Sequence, residues 1–302
     1  MNKRYLIALL VLILLTSIPT ITFAGSWNGW IYQNPYPTSN TLLAVKFVTP
    51  KKGWMAGQHG TILYTEDGGD TWEAQESGTE QDLKSISFAN EKVGWIAGNG
   101  GALIYTENAG KSWTRQSNAT VALHKVFAIN EKDCWVGGAT GMLLRTSDGG
   151  KNWTKQNIGA WADIAGIFYR NINTGWVLSG GNVYRTTNGG TDWEISQLPV
   201  ITQQRRSPDL PFSFGDAPAE HGWDGDVFFL TDKLGWVVLG LEQIYKTEDG
   251  GKTWQVTDLG PTYALGRIFF TDEKNGCAIG TSILCTEDGG KTWKERLGIK
   301  PA

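Results

Sequence analysis

Hydrophobic and polar positions along the chain are organised in short runs of four to six residues, separated by turn signals rich in Gly, Asn and Asp. In the first such set the runs cover 42–47, 53–57, 61–64 and 72–75, lengths that suit strands and are too short for helices of several turns. The same four-part pattern recurs five more times. The first run of each set ends near an aromatic (Phe47, Phe88, Phe127, Tyr169, Phe229, Phe270), and the second opens with Trp in five of six copies (Trp54, Trp95, Trp135, Trp176, Trp236). Four short strands in a period of about forty residues are the signature of a propeller blade. The strands are labelled A to D, outward from the centre.

An eight-residue element, Thr-x-(Asp/Asn)-(Gly/Ala)-Gly-x-x-Trp, punctuates every set. It runs 65–72, 106–113, 146–153, 186–193, 247–254 and 286–293, and its closing Trp residues (Trp72, Trp113, Trp153, Trp193, Trp254, Trp293) are separated by 41, 40, 40, 61 and 39 positions. One interval therefore carries about twenty extra residues. The expected fold is all-β, a β-propeller of four-stranded antiparallel blades, with six blades. Seven, one of them incomplete, is the alternative, because Gly29–Asn34 repeats the character of the D strand at 152–157 and offers the last blade a second D strand.

Ahead of the repeats, Lys3 and Arg4 precede the apolar run 5–15 and small or polar residues up to Ala24, the layout of a secretory signal peptide. The expectation is a signal peptide at 1–24, a single propeller domain at 25–302 with an inserted loop at 195–226, and an exported product, secreted, periplasmic or on the outer face of a membrane. No membrane insertion is expected beyond the N-terminal segment. The 39 Gly and 15 Trp fit many short strands joined by tight turns, and a formal net charge of −3 gives no drive toward nucleic acid.

The cysteines carry no metal-site spacing, and no metal or other cofactor is expected. Cys134 stands where four other repeats place Gly before Trp, and reads as a small buried thiol. Cys277 and Cys285 flank Thr281 symmetrically on two strands of one hairpin, a placement that permits a cross-strand disulfide without requiring it.

Within each box the Asx residue (Asp67, Asn108, Asp148, Asn188, Asp249, Asp288) reads as an acceptor for backbone N–H groups of the turn, the glycines as positions of positive φ, and the Trp as packing into the blade interface. Asn at two of six positions suits an acceptor, not a general acid. The seventh box position is equally tolerant, with Asn152 and Asp192 where the others have Thr or Ser.

The element resembles the Asp-box, or BNR, motif of sialidases, xyloglucan-cleaving glycosidases and sortilin-like receptors. In its regularity and its Gly-Trp second strands the chain is most similar to the photosystem II assembly-factor family of propellers. That resemblance implies that the boxes lie on one rim, between strands C and D, and that ligands meet the opposite rim of B–C and D–A connections. Residues placed there include His59 on a B–C turn and Trp161 and Trp223 on D–A connections, aromatic surface outside the repeat pattern. The long connection adds Arg205, Arg206, Phe212, Phe214 and His221, residue types that dominate interface energies.

Enzyme chemistry finds no constellation. Rim carboxylates exist (Asp163, Asp216, Asp224, Asp226, Glu242), but no arginine trio of the sialidase kind can be identified, and the three His lie on different connections without a nucleophile signature. The reading is a non-catalytic scaffold that holds a protein client on the rim opposite the boxes, as in the assembly-factor family. Carbohydrate binding or sialidase-like glycoside hydrolysis, with an oligosaccharide as partner, is the alternative.

Overall fold

A computed structural model describes residues 37–116, 119–199, 225–240, 242–260 and 263–297. Its strands form six four-stranded antiparallel sheets, spanning 42–75, 83–115, 123–156, 164–197, 226–258 and 265–297, with strand order following chain order in each. The fold is therefore an all-β propeller of six blades, as the repeat count implies. In blade 1 the strands are Leu42–Phe47, Gly53–Gly57, Ile62–Thr65 and Glu73–Gln75, within a residue or so of the runs read from the sequence. The sixth blade takes its D strand from Lys294–Leu297. Gly29–Asn34 and the signal segment 1–24 lie outside the described residues. The chain divides into two compact units, one ending at Leu123 and holding blades 1 and 2, the other running from His124 and holding blades 3 to 6.

The register explains the repeated aromatic and glycine. Phe47 pairs with Gly53, Phe88 with Gly94, Tyr169 with Gly175, Phe229 with Gly235 and Phe270 with Gly276. A Cβ built on any of these glycines would lie 2.3 to 2.7 Å from atoms of the paired ring, so the ring lies directly on the partner strand. Four of these rings also meet the B-strand Trp of the preceding blade. The stacked pairs are Trp54–Phe88 at 3.8 Å, Trp135–Tyr169 at 3.7 Å, Trp176–Phe229 at 3.7 Å and Trp236–Phe270 at 3.5 Å between centroids. All four of these Trp residues are fully buried. Burial on this scale contributes on the order of 3 kcal/mol per indole, and stacking adds about 1 kcal/mol.

The box Trp residues take the outer part of the same interfaces. They are half-buried, and four of them meet the A-strand ring of their own blade edge-on, as Trp72 does Phe47 at 6.1 Å and 83°. Two reach back to the preceding blade through Nε1, Trp113 to Gln75 Oε1 and Trp254 to Ser196 Oγ.

Blade 3 departs from the sequence expectation. Phe127 does not occupy the column of Phe47 and Phe88: Ile129 N bonds Asp133 O as Ala89 N bonds Val93 O in blade 2, which sets Ala128 opposite Cys134. Here a small side chain replaces the ring and Cys replaces Gly, so the two changes compensate. Cys134 is fully buried, as its position implies, and burial pushes its thiol pKa up.

The boxes depend on a residue whose role the motif alone did not reveal. In every copy the buried Thr hydroxyl accepts the N–H of the second box Gly at 2.8 to 2.9 Å and donates to the Asx oxygen at 2.7 to 3.0 Å. That oxygen in turn accepts the N–H of the seventh position at 2.9 to 3.0 Å. The tolerance at positions three and seven follows from complementarity: Asp67 accepts from the Thr71 hydroxyl, Asn152 Nδ2 donates to Asp148, and Asn188 Nδ2 donates to Asp192.

These bonds act on ionisation. Backbone and side-chain donation from Asn152, joined by Thr146, draws Asp148 down to about 2. At Asp249 burial pushes the carboxyl up, but donation from Thr253 and Thr247 outweighs it and leaves it at about 2. Hydrogen bonds from Thr71 and Thr292 hold Asp67 and Asp288 lower still. A depressed folded pKa stabilises the fold above the unfolded carboxyl value near ~4, and that contribution is lost as pH falls toward ~2. Thermal unfolding followed from pH 6 to pH 2 should show the midpoint falling below about pH 4. The variant with Asp67, Asp148, Asp249 and Asp288 all changed to Asn, the residue boxes 2 and 4 already use, should fold at neutral pH with a flatter acid decline.

The ring-on-glycine contact is tested at blade 5. Gly235→Ala should cost about 2 kcal/mol or more in urea unfolding, and less in a Phe229→Ala background, whereas Cys134→Ala should cost only about 1 kcal/mol.

Candidate functional site

The two ends of a blade are built differently. Box amides bond to the A–B turn of their own blade, Gly68 N to Lys51 O, Gly149 N to Lys132 O and Gly250 N to Lys233 O. B–C turns bond instead to the residues leading into strand A, Gln58 N to Thr41 O and Asn99 N to Asp82 O within their own blades and Gly60 N to Gln81 O of the following one. Boxes and A–B turns therefore share one end, B–C turns and D–A connections the other.

In blades 1 to 3 the B–C turn is a single 3-10 turn, Gln58–Gly60, Asn99–Gly101 and Ala139–Gly141. Its central residue is left-handed, at φ 54° for His59 and Thr140, an arrangement that costs a non-Gly residue on the order of 1 kcal/mol. Carboxylates of the D–A connections hold these strained amides. His59 N donates to Asp82 Oδ1 at 3.1 Å, and Thr140 N to Asp163 Oδ1 at 3.0 Å. Asp163 Oδ2 also faces His124 Nε2 at 3.2 Å, an ion pair when the imidazole is protonated.

Asp163 is thus a turn staple as well as a rim carboxylate. Asp226 has a similar employment, accepting from Val227 N at 3.0 Å and Ile268 N at 3.3 Å. Glu242 serves through its backbone carbonyl, which receives Leu259 N. Asp216 and Asp224 lie outside the described residues.

Trp161 is 77% exposed, the most exposed of the large apolar side chains described. The chain on either side of it is anchored. The Ala160 carbonyl lies so close to Gly141 that a Cβ there would be 2.0 Å away, and Ala162 O accepts the Ser179 hydroxyl at 2.7 Å. The indole projects from a fixed backbone. His59 is exposed on the unit that holds blades 1 and 2. Trp223, Arg205, Arg206, Phe212, Phe214 and His221 lie outside the described residues. The ends of the expected loop belong to strands, Glu194–Gln197 before it and Asp226–Phe229 after it.

Cys277 and Cys285 are direct cross-strand partners joined as a disulfide, with Cα atoms 4.1 Å apart. They occupy the register that in blade 1 holds Trp54 and Tyr64 and in blade 2 Trp95 and Tyr105. Among the described residues no three His, Cys, Asp or Glu side chains converge on a metal position.

The staple is testable. Asp163→Ala leaves Thr140 N without its carboxylate and should cost about 1–3 kcal/mol in urea unfolding; adding Thr140→Gly, which adopts positive φ freely, should recover part of the loss.

The comparisons agree with this geometry. The family model described as "Photosynthesis system II assembly factor YCF48" matches residues 25–121. No curated protein matches the chain. Among solved structures, YCF48 bound to D1 peptide is 22% identical, with 86% of this chain and 82% of that chain covered and a TM-score of 0.65. YCF48 from Cyanidioschyzon merolae is 20% identical over 87% of each chain, with a TM-score of 0.66. The GH74 xyloglucanase from Xanthomonas campestris is 14% identical over 82% of this chain and 44% of its own, with a TM-score of 0.63. At these identities the structural likeness is one of fold. The family's sequence model thus matches residues 25–121, and the fold of the two YCF48 structures is shared along most of the length, so the chain is an Asp-box propeller similar to photosystem II assembly factors.

Proposed function

We propose that this protein is an exported, non-catalytic scaffold that holds a segment of a protein client on the end of the blades opposite the Asp boxes. The observation that carries the reading is Trp161, an indole 77% exposed on an anchored connection of that end. Large amphipathic rings that are already held in place are what a peptide contact requires, because little side-chain entropy is lost on binding. A similar propeller, YCF48, has been solved with a D1 peptide bound, which supports a peptide as the class of ligand. Export rests on the charged start, apolar run and small residues of 1–24.

The non-catalytic half of the proposal rests on the employment of the carboxylates. Glycoside hydrolysis needs a pair of carboxyls flanking the scissile bond, and Asp163 and Asp226 each accept backbone N–H groups that would lose their partners if the carboxyl reoriented. The second reading, oligosaccharide recognition or cleavage, draws on the fold likeness to a xyloglucanase. Both readings place Trp161 at the contact, so the class of ligand decides between them.

The test is binding of the purified protein to two panels, peptides including the D1 segment and oligosaccharides including sialosides. Saturable peptide binding weakened at least about tenfold by Trp161→Ala, about 1.4 kcal/mol, is the expected result. Sugar turnover, or sugar-dependent stabilisation abolished by the same substitution, would overturn it.

A further inference from the structure

Blade 6 holds its B and C strands together differently from the other blades. At the second residue of strand B the facing pair is Trp54–Tyr64 in blade 1 and Trp95–Tyr105 in blade 2, with ring centroids 4.9 and 5.0 Å apart. In blade 3 the Arg145 guanidinium lies over Trp135, 5.1 Å from the ring centroid. Blades 4 and 5 pair Trp176 with Arg185 and Trp236 with Lys246. In blade 6 the same register sets Cys277 opposite Cys285, and the contact is their disulfide.

Without that bond the position holds two small thiols where every other blade sets an indole against a long side chain. Cross-strand pairs of that kind are the unit of sheet stabilisation, so in blade 6 the redox state decides whether the pair exists. The surrounding burial offers less in compensation. The B strands of blades 1 to 5 are buried at every residue, whereas Cys277, Ile279 and Gly280 of blade 6 are half-buried. On one side of the pair Phe270 of strand A keeps its stack on Trp236. On the other, the box hydrogen bonds of Thr286 and Asp288 close the turn that joins strand C to strand D. The weak seam therefore runs between strands B and C.

The sulfurs can be reached. Both cysteines are half-buried, and a crevice of about 220 Å³ opens onto Cys285, lined by Glu287, Asp288, Thr292, Lys294 and Arg296. Its two carboxylates and two cations balance, so access rather than charge governs the reaction there. Access for an attacking thiolate is what separates a labile disulfide from a purely structural one. Cys134, by contrast, is fully buried with its thiol pKa pushed up, and stands outside such chemistry.

We infer that the Cys277–Cys285 disulfide is a redox-sensitive clasp, opened in the folded protein by a dithiol reductant. One thiolate of the dithiol attacks Cys285 Sγ and the Cys277 sulfur leaves; the second thiol of the reductant then displaces Cys285. Two electrons and two protons pass to the cysteines, and the reductant ends as its own disulfide. The hairpin of strands C and D, 283–297, is then held to strand B without a covalent or ring contact, and opening of that seam becomes easier than opening of blades 3 to 5. The inference uses none of the residues of the rim reading, so the two can fail separately.

The experiment is hydrogen exchange of the purified protein, followed by mass spectrometry with and without dithiothreitol under native conditions. Alkylation after reduction is expected at Cys277 and Cys285 and not at Cys134. Exchange over 283–297 is expected to rise about tenfold on reduction, to stay unchanged over the matching strands of blade 5, and to return when oxidised glutathione replaces the dithiol. The Cys277→Ser, Cys285→Ser double variant should exchange as the reduced protein does in either condition. The Cys277→Trp, Cys285→Tyr double variant, which installs the pair of blades 1 and 2, should not respond to the dithiol. Reduction that occurs only once urea unfolds the chain, exchange over 283–297 that does not respond to reduction, or a rise shared equally by blade 5 would overturn the inference.

Discussion

The structure depends on an aromatic ring lying on a strand that has no side chain beneath it. Where strand A ends in Phe or Tyr and strand B begins with Gly, the ring settles on the partner backbone and presents itself to the Trp of the preceding blade. One contact therefore sets register within a blade and packing between blades. Blades 1 and 2 show the ring on glycine in one compact unit, and blades 4 to 6 show it in the other. Blade 3 changes both members at once, Ala128 for the ring and Cys134 for the glycine, which is how a coupled pair is altered without leaving a clash.

The second constraint is the turn at the outer hairpin. Its Thr hydroxyl both accepts from a Gly amide and donates to the Asx oxygen, so one buried group closes the loop in two directions. The carboxylates attached to this network are held ionised by donors and are poorly placed for proton transfer. The same economy appears at the opposite end, where Asp82 and Asp163 hold the left-handed amides of B–C turns. Most of the chain's well-placed acids are thus turn components.

The repeat made strands, blade count and box positions legible, because short-range periodicity and turn chemistry are properties of neighbouring residues. It also marked Cys134 as a buried substitute for Gly and Trp161 as a residue outside the pattern. It grouped Phe127 with the column of Phe47 and Phe88, one position short of it, because in blade 3 Ala128 stands in that column and Phe127 is the nearest aromatic. It passed over the box Thr, whose hydroxyl looks like an ordinary strand end until the turn folds back on it. It left Asp163 and Asp226 as open carboxylates, since Thr140 N and Ile268 N reach them from other blades.

By itself the sequence determined an all-β chain of six Asp-box blades and the acceptor role of the box residues, since both follow from local spacing and backbone geometry. Tertiary structure decided which Trp is buried and which half-exposed, that Cys277 and Cys285 are joined, that the rim acids are staples, and that four Phe from separate blades form one row. Those outcomes depend on which side chains meet once the strands pair and the blades stack, from the cysteines eight residues apart to partners separated by a whole blade.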